Sequence, residues 1–295
     1  MDIMSLDIIY LFSRWTHFTL LFIYTGCCFY SALLAPASWR SELCRRLSPL
    51  TLFSALGCGI SAWLLLAIQV GLMGDGWQDI LHVSVWQAVF TTAFGRMWHL
   101  QLWLPLLSVA ALFIPRQAGR NMALVTALAQ LCGLALVGHA AMYDGVAGTL
   151  QRINQCVHLT AAAFWSGGLV PLVMIMLASR RQRMPAEAIS TLMRFSLYGH
   201  LAVALVLLSG IIDGWLLLDW PLWHFQRYSQ LLAVKILLVL LMVALAVYNR
   251  YWLVPRFGRV ASRVQRYFVM VTLLELLLAA SVLMLVAIFA TLPPG

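Results

Sequence analysis

The chain has 295 residues, of which 63% are hydrophobic and only 10% charged, with a formal net charge of +9. Soluble domains carry about 25% charged residues, so these charges cannot cover a water-exposed surface of this size. The basic residues cluster between apolar runs, which makes them signals of membrane topology rather than of nucleic-acid binding.

The apolar runs are about 20 residues long, the length that crosses a bilayer as a helix, and they lack the alternation of a membrane barrel. Met1-Asp2-Ile3-Met4 offers no basic segment ahead of an apolar run, so the first span is expected to stay as an anchor. Spans are predicted near Trp15–Ala35, Leu50–Leu72, Met97–Ile114, Met122–Met142, Cys156–Ala178, Leu192–Leu217, Tyr228–Leu253 and Phe268–Leu292. The mixed stretch Trp77–Phe94 reads as a surface helix or a re-entrant segment. Cys27, Cys28, Cys44, Cys58, Cys132 and Cys156 fall mostly inside spans without CxxC spacing, and read as small buried hydrophobes.

Arginines follow every odd span: Arg40, Arg45 and Arg46; Arg116 and Arg120; Arg180, Arg181 and Arg183; Arg256, Arg259, Arg263 and Arg266. The intervening loops hold Asp75, Asp79, Asp144 and Asp219. With eight alternating spans all the arginines face the cytoplasm and both termini face the periplasm. The fold expected is therefore an all-α membrane protein of eight transmembrane helices.

An internal repeat divides those helices. His17, Thr19, Tyr24, Thr25 and Gly26 are matched in step by His158, Thr160, Trp165, Ser166 and Gly167. Asp75-Gly76-Trp77 is matched by Asp213-Gly214-Trp215, and Pro115-Arg116 by Pro255-Arg256. Two tandem four-helix repeats follow, residues 1–150 and 151–295, parallel because each holds an even number of spans. His17 and His158 are equivalent and should lie at similar depth near the outer boundary.

The seven histidines are His17, His82, His99, His139, His158, His200 and His224, and this topology puts none in a cytoplasmic loop. Neutral imidazole is the commonest metal ligand among side chains, and a lone intramembrane histidine also serves as a hydrogen-bonding link between helices. His17, His139 and His158 share the outer face. His200 lies deeper, near the middle of the sixth span. His82, His99 and His224 read as solvated interfacial residues. Met73, Met97 and Met142 add soft thioethers toward the same face. Lys235 and Glu275 lie inside spans and should be paired, Lys235 with Asp213 and Glu275 with Arg250, as structural ties or as parts of an ion pathway. No phosphate loop, nucleophile elbow, HExxH or CxxC occurs, so an enzyme with a covalent mechanism is not expected.

Asn154 to Pro171, NQCVHLTAAAFWSGGLVP, resembles the signature of the CopD copper-resistance family. Gly138-His139-Ala140, Arg194-Phe195-Ser196 with Gly199-His200, and Asn249-Arg250-Tyr251 with Pro255-Arg256 extend the resemblance, which runs from His17 to Ala290-Thr291-Leu292. The resemblance implies copper homeostasis at the bacterial inner membrane, with copper ion, Cu(I) or Cu(II), imported from a periplasmic donor of the CopC type. These residues include no CopC-like β-domain, so a separate donor is expected. His17, His139, His158 and His200 are the metal ligands it implies. Two rivals stay open. Histidines on neighbouring helices, among Trp15, Trp98 and Trp165, could hold haem b in an electron-transfer or copper-reducing subunit. A scaffold or sensor that only docks a copper chaperone is the other.

Overall fold

The computed structural model describes residues 3–137, 145–179, 184–217, 227–256 and 261–289, and among these every regular element is a helix. The first helix, α1 (Ile3–Phe29), runs on through a π turn, Tyr30–Leu34, and stops at Ala35, whose extended backbone is what a following proline demands. Pro36 then starts α2 (Ala37–Met73). That helix is 37 residues long, about 55 Å at 1.5 Å per residue, so it outruns the bilayer. Its first turns carry Arg40, Arg45 and Arg46, and the basic cluster expected in a loop is therefore helical. There Glu42 receives Arg45 at 2.8 Å and Arg46 at 2.7 Å, and the two guanidinium groups hold its carboxyl below the usual carboxylate range.

The mixed stretch resolves into a 3-10 turn, Trp77–Leu81, and a short helix, α3 (Val83–Thr91). Thr92 then caps α4 (Ala93–Leu112) by accepting the Gly95 amide at 3.0 Å. Next come α5 (Arg116–Leu134) and a continuous rod made of α6 (Gly145–Ala162), a π turn (Ala163–Gly167) and α7 (Gly168–Ala178). The chain ends with α8 (Ala186–Leu217), α9 (Arg227–Tyr248) with its π turn (Asn249–Leu253), and α10 (Ala261–Phe289).

Six helical segments of the described chain are long and apolar enough to cross a membrane: α1, α2, the α6–α7 rod, α8, α9 and α10. The remaining expected spans are α4 and α5, of 20 and 19 residues. Their mean hydropathy is lowered by Gln101, Ser108, Thr126 and Gln130. All four are buried against protein, while Trp103, Leu106 and Val125 are exposed. These four polar side chains thus face inward, while those three apolar ones face outward.

The core is built around α1, which packs on α2, α5, α10 and the α6–α7 rod. Gly26 and Gly167 make the crossing of α1 with that rod possible, since a β-carbon on either would strike backbone of the opposing helix. Trp15 Nε1 donates to the Ala280 carbonyl of α10 at 2.9 Å, and Cys156 reaches the Cys132 carbonyl of α5 at 4.0 Å. Each of these contacts starts two residues before a histidine, His17 or His158, and runs to the fourth long helix of the other set.

Candidate metal site

His17 is fully buried on α1, and its Nδ1 lies 2.8 Å from Ser61 Oγ on α2. Ser61 gives its one hydroxyl proton to the Gly57 carbonyl at 2.6 Å. It can therefore only accept from the imidazole, so Nδ1 carries the proton and Nε2 the lone pair. That Nε2 is buried and has no hydrogen-bond partner. Trp98 of α4 lies beside the ring, with centroids 6.1 Å apart.

His158 repeats the arrangement on α6. Its Nδ1 lies 2.8 Å from Ser209 Oγ on α8, and Ser209 likewise bonds the carbonyl four residues back, at Leu205. Nδ1 again carries the proton and Nε2 is left unprotonated. The ring packs against Gly210, so it faces α8. A ring nitrogen fixed as donor, with the other kept free, is the usual preparation of a histidine for a metal.

The two imidazoles have different neighbours. Gly26 follows His17 by nine residues, and Gly167 follows His158 by nine. In α1, α-helical throughout, nine residues make about two and a half turns, so Gly26 and His17 lie on opposite faces. The glycines meet at the crossing, and each histidine turns toward its own neighbours, α2 and α4 in one case and α8 in the other. Measured from the crossing, His17 lies about 13 Å up α1. Among the described residues no group of three His, Cys, Asp or Glu side chains is placed to hold a metal ion.

His200 is elsewhere. Its Nδ1 donates to the Ser196 carbonyl at 2.7 Å and its Nε2 accepts from the Tyr251 hydroxyl at 3.1 Å. It lines a cavity of about 730 Å³ walled by α7, α8, α9 and α10. His139 and Met142 lie outside the described residues, as does His224. Of the sequence candidates, the structure thus gives His17 and His158 matching settings and sets His200 apart.

The expected charge pairs fare differently. Lys235 and Asp213 are near enough to feel each other's charge, and Asp213 also accepts from Asn154 at 2.8 Å. Glu275 does not meet Arg250. Its Oε1 accepts from Asn249 at 2.8 Å, because the π turn brings Asn249 to face α10 and leaves Arg250 a residue further round. The Asp-Gly-Trp match also fails as a structural equivalence. Asp75 is 14 residues beyond Ser61, in an exposed turn, whereas Asp213 is four beyond Ser209, inside α8. Ser61 and Ser209 themselves were not among the sequence candidates. The signal available was a serine beside small residues in the helix that follows each histidine span, Gly59-Ile60-Ser61 and Ser209-Gly210.

Comparisons with known proteins give the setting a family. Residues 4–149 match the family described as copper resistance protein D-like, N-terminal domain, and residues 189–289 match copper resistance protein D. The Asn154–Pro171 segment lies between the two matches. The chain is 41% identical over 283 residues to the inner membrane protein YebZ of Escherichia coli (strain K12), covering 95% of this chain and 97% of that one. It is 28% identical over 215 residues to the copper transport protein CutJ of Bacillus subtilis (strain 168), covering 69% of this chain and 39% of the relative. To copper resistance protein D of Pseudomonas syringae pv. tomato it is 31% identical over 176 residues, 56% of either chain. No solved structure matches the chain significantly. The chain belongs to the copper resistance protein D family and is a multi-pass helical protein of the inner membrane.

Proposed function

We propose that this protein carries copper ions across the inner membrane, taking them at His17 and His158 from a periplasmic copper-binding protein of the CopC type. The observation that carries the reading is the doubled histidine–serine pair, with the same 2.8 Å contact fixing the proton on Nδ1 of both imidazoles, and with His17 Nε2 buried and unpartnered. Neutral imidazole takes either oxidation state of copper. Single weak stations suit conduction better than one tight site, and two separated imidazoles are of that kind. His139, in the chain between α5 and α6, completes the outer set. His200 is an inner station, where copper would displace the Tyr251 hydroxyl from Nε2. The names of CutJ and of the Pseudomonas relative support copper as cargo. Translocation, not a covalent reaction, is the activity proposed.

The same reading takes the long helices as eight spans in two tandem halves, residues 1–150 and 151–295, with periplasmic termini. The outward apolar faces of α4 and α5 support counting them as spans. Reporter fusions after Arg46, Arg120, Arg183 and Arg263 should all report cytoplasm, and one at Gly295 periplasm.

The test of the site is copper content and proteoliposome copper uptake of the wild type, His17→Ala and His158→Ala, each beside a visible spectrum. Both variants should lose bound copper and uptake. Copper unchanged in both would overturn the site. A Soret band in the wild type that these variants lose would move the histidines to haem b.

A further inference from the structure

The cavity beside His200 has a polar wall that the copper site does not use. Glu275 of α10 is 1% exposed and Asn249 of the π turn 7% exposed, and both line it, with Thr272 one turn from Glu275. Asn249 Nδ2 donates to Glu275 Oε1 at 2.8 Å and lies 3.3 Å from Thr272 Oγ1. Asn249 Oδ1 is buried with no partner. Among the described residues Glu275 has no ion-pair partner.

The third and fourth long helices hold a neutral counterpart. Gln130 Nε2 of α5 donates to Ser108 Oγ of α4 at 2.9 Å, and Ser108 donates to Thr126 Oγ1 at 2.8 Å. A polar residue on one helix thus binds a threonine and a longer side chain on the next, in both places. An amide is enough for that link in α5, so helix packing alone does not require a carboxylate at the corresponding place in α10. Keeping an ionisable group in a membrane helix is costly and ordinarily marks a proton or ion path.

We propose that Glu275, with Asn249 and Thr272, is a proton-exchange site opening on this cavity. The asparagine suits both states of the carboxyl. To the carboxylate it offers the Nδ2 donor seen here, and to the acid it offers the unpartnered Oδ1 as acceptor for the new O–H. The step adds one proton to the carboxylate and returns it, with no other bond made or broken. Resting on the copper-transport reading, the site supplies the ion whose gradient drives the copper.

The titratable groups around the site are few. Arg250 and Tyr251 of the π turn and His200 of α8 share the cavity. The helix α7 carries none, and α10 carries none within a turn of Glu275. On α9, Lys235 lies near enough to Asp213 to feel its charge, and Tyr248 stacks on Trp252. On α1, which packs on α10, Arg14 lies over Tyr10 and Phe18, His17 bonds Ser61, and Tyr24 bonds the Ala123 carbonyl.

The experiment is an infrared pH titration of the full chain in lipid, wild type against Glu275→Gln and Glu275→Asp, without copper. A titrating carboxyl band should be present in the wild type, absent in E275Q and restored, shifted, in E275D. A wild-type spectrum that E275Q leaves unchanged overturns the site, whatever copper does. Coupling is read in proteoliposomes with an imposed proton gradient and added copper. E275Q should keep its bound copper and lose the stimulation of uptake by the gradient. Stimulation retained in E275Q overturns the coupling. A wild type that takes up no copper under any gradient defeats the transport reading and with it the coupling, and the infrared result still decides the proton site.

Discussion

The helices of residues 3–134 and those of residues 145–289 carry the same polar devices in two different packings. Both have a histidine donating to a serine on the next long helix, a glycine nine residues on at the central crossing, and a polar link between their third and fourth long helices. The first set is closed, with α2 packed on α4. In the second, α8 and α9 barely touch, and the cavity with His200 and Glu275 occupies the space between them. The difference separates what the architecture requires from what is added to it. The glycine crossing and the His–Ser pairs occur twice. The buried carboxyl occurs among the described residues only in the second set.

The largest effect is expected at what the two sets share most closely. Gly26→Leu or Gly167→Leu puts a side chain into opposing backbone, which cannot move as a side-chain tip can. Each should cost roughly 3 kcal/mol or more of stability, seen as a large drop in yield and melting temperature in detergent. Gly57→Ala is the contrast, because its β-carbon would meet only the flexible tip of Leu20. Equal effects at the three positions would mean that the crossing is not the pivot of the fold.

Lys235 is next, and it has no counterpart in the first set. Lys235→Met removes the positive charge that Asp213 feels, a cost of up to roughly 3 kcal/mol on insertion-type scales. Asn154 still holds Asp213, so the loss should fall somewhat below that of the glycine variants. A variant that is equally stable yet inactive in copper uptake would place Lys235 on a transport path instead.

The serines test whether the paired histidines work alike. Ser61→Ala and Ser209→Ala remove the acceptor that fixes each imidazole's proton on Nδ1, and such partners are worth 10–100-fold in metal affinity. Comparable losses of copper affinity are expected in both, with the fold intact. A loss confined to one serine would show that only one of the two pairs is a metal station.

Much of this arrangement is legible in the sequence because membranes impose strong rules. Long apolar runs and the placing of arginines mark the helices, and His17 and His158 stand out by their shared spacing to glycine. Length misled at α2, where Arg40 to Arg46 looked like a loop because charge ends a hydropathy window but does not end a helix. The helices α4 and α5 fall where the apolar runs Met97–Ile114 and Met122–Met142 predict them. The serines were not visible because hydroxyls inside apolar runs usually bond their own helix, as Thr25 does to Leu21. Glu275 was assigned the wrong partner because a π turn shifts which side chain faces the neighbouring helix, and periodicity assumes 3.6 residues per turn. The Asp-Gly-Trp match shows that three identical letters need not occupy corresponding places.

The smallest effect is expected where the two polar links are compared directly. Gln130 shows that a neutral amide satisfies the space between a third and a fourth long helix, bonded to Ser108. Glu275→Gln gives the second link the same chemistry. Its Oε1 can still accept from Asn249 Nδ2, and its new amide hydrogens can reach the vacant Asn249 Oδ1. One neutral hydrogen bond is worth about 1 kcal/mol, so loss and gain should nearly cancel. The melting temperature of E275Q should therefore stay close to that of the wild type, measured by the same thermal unfolding used for the glycine variants. Ser108→Ala is the paired control, since it removes the nearer acceptor from Gln130 and leaves its buried amide only the Thr126 carbonyl at 3.3 Å. It should cost about 1–3 kcal/mol. If E275Q proved the less stable of the two, the carboxylate would be a structural tie after all, and the likeness between the two links would end with their shape.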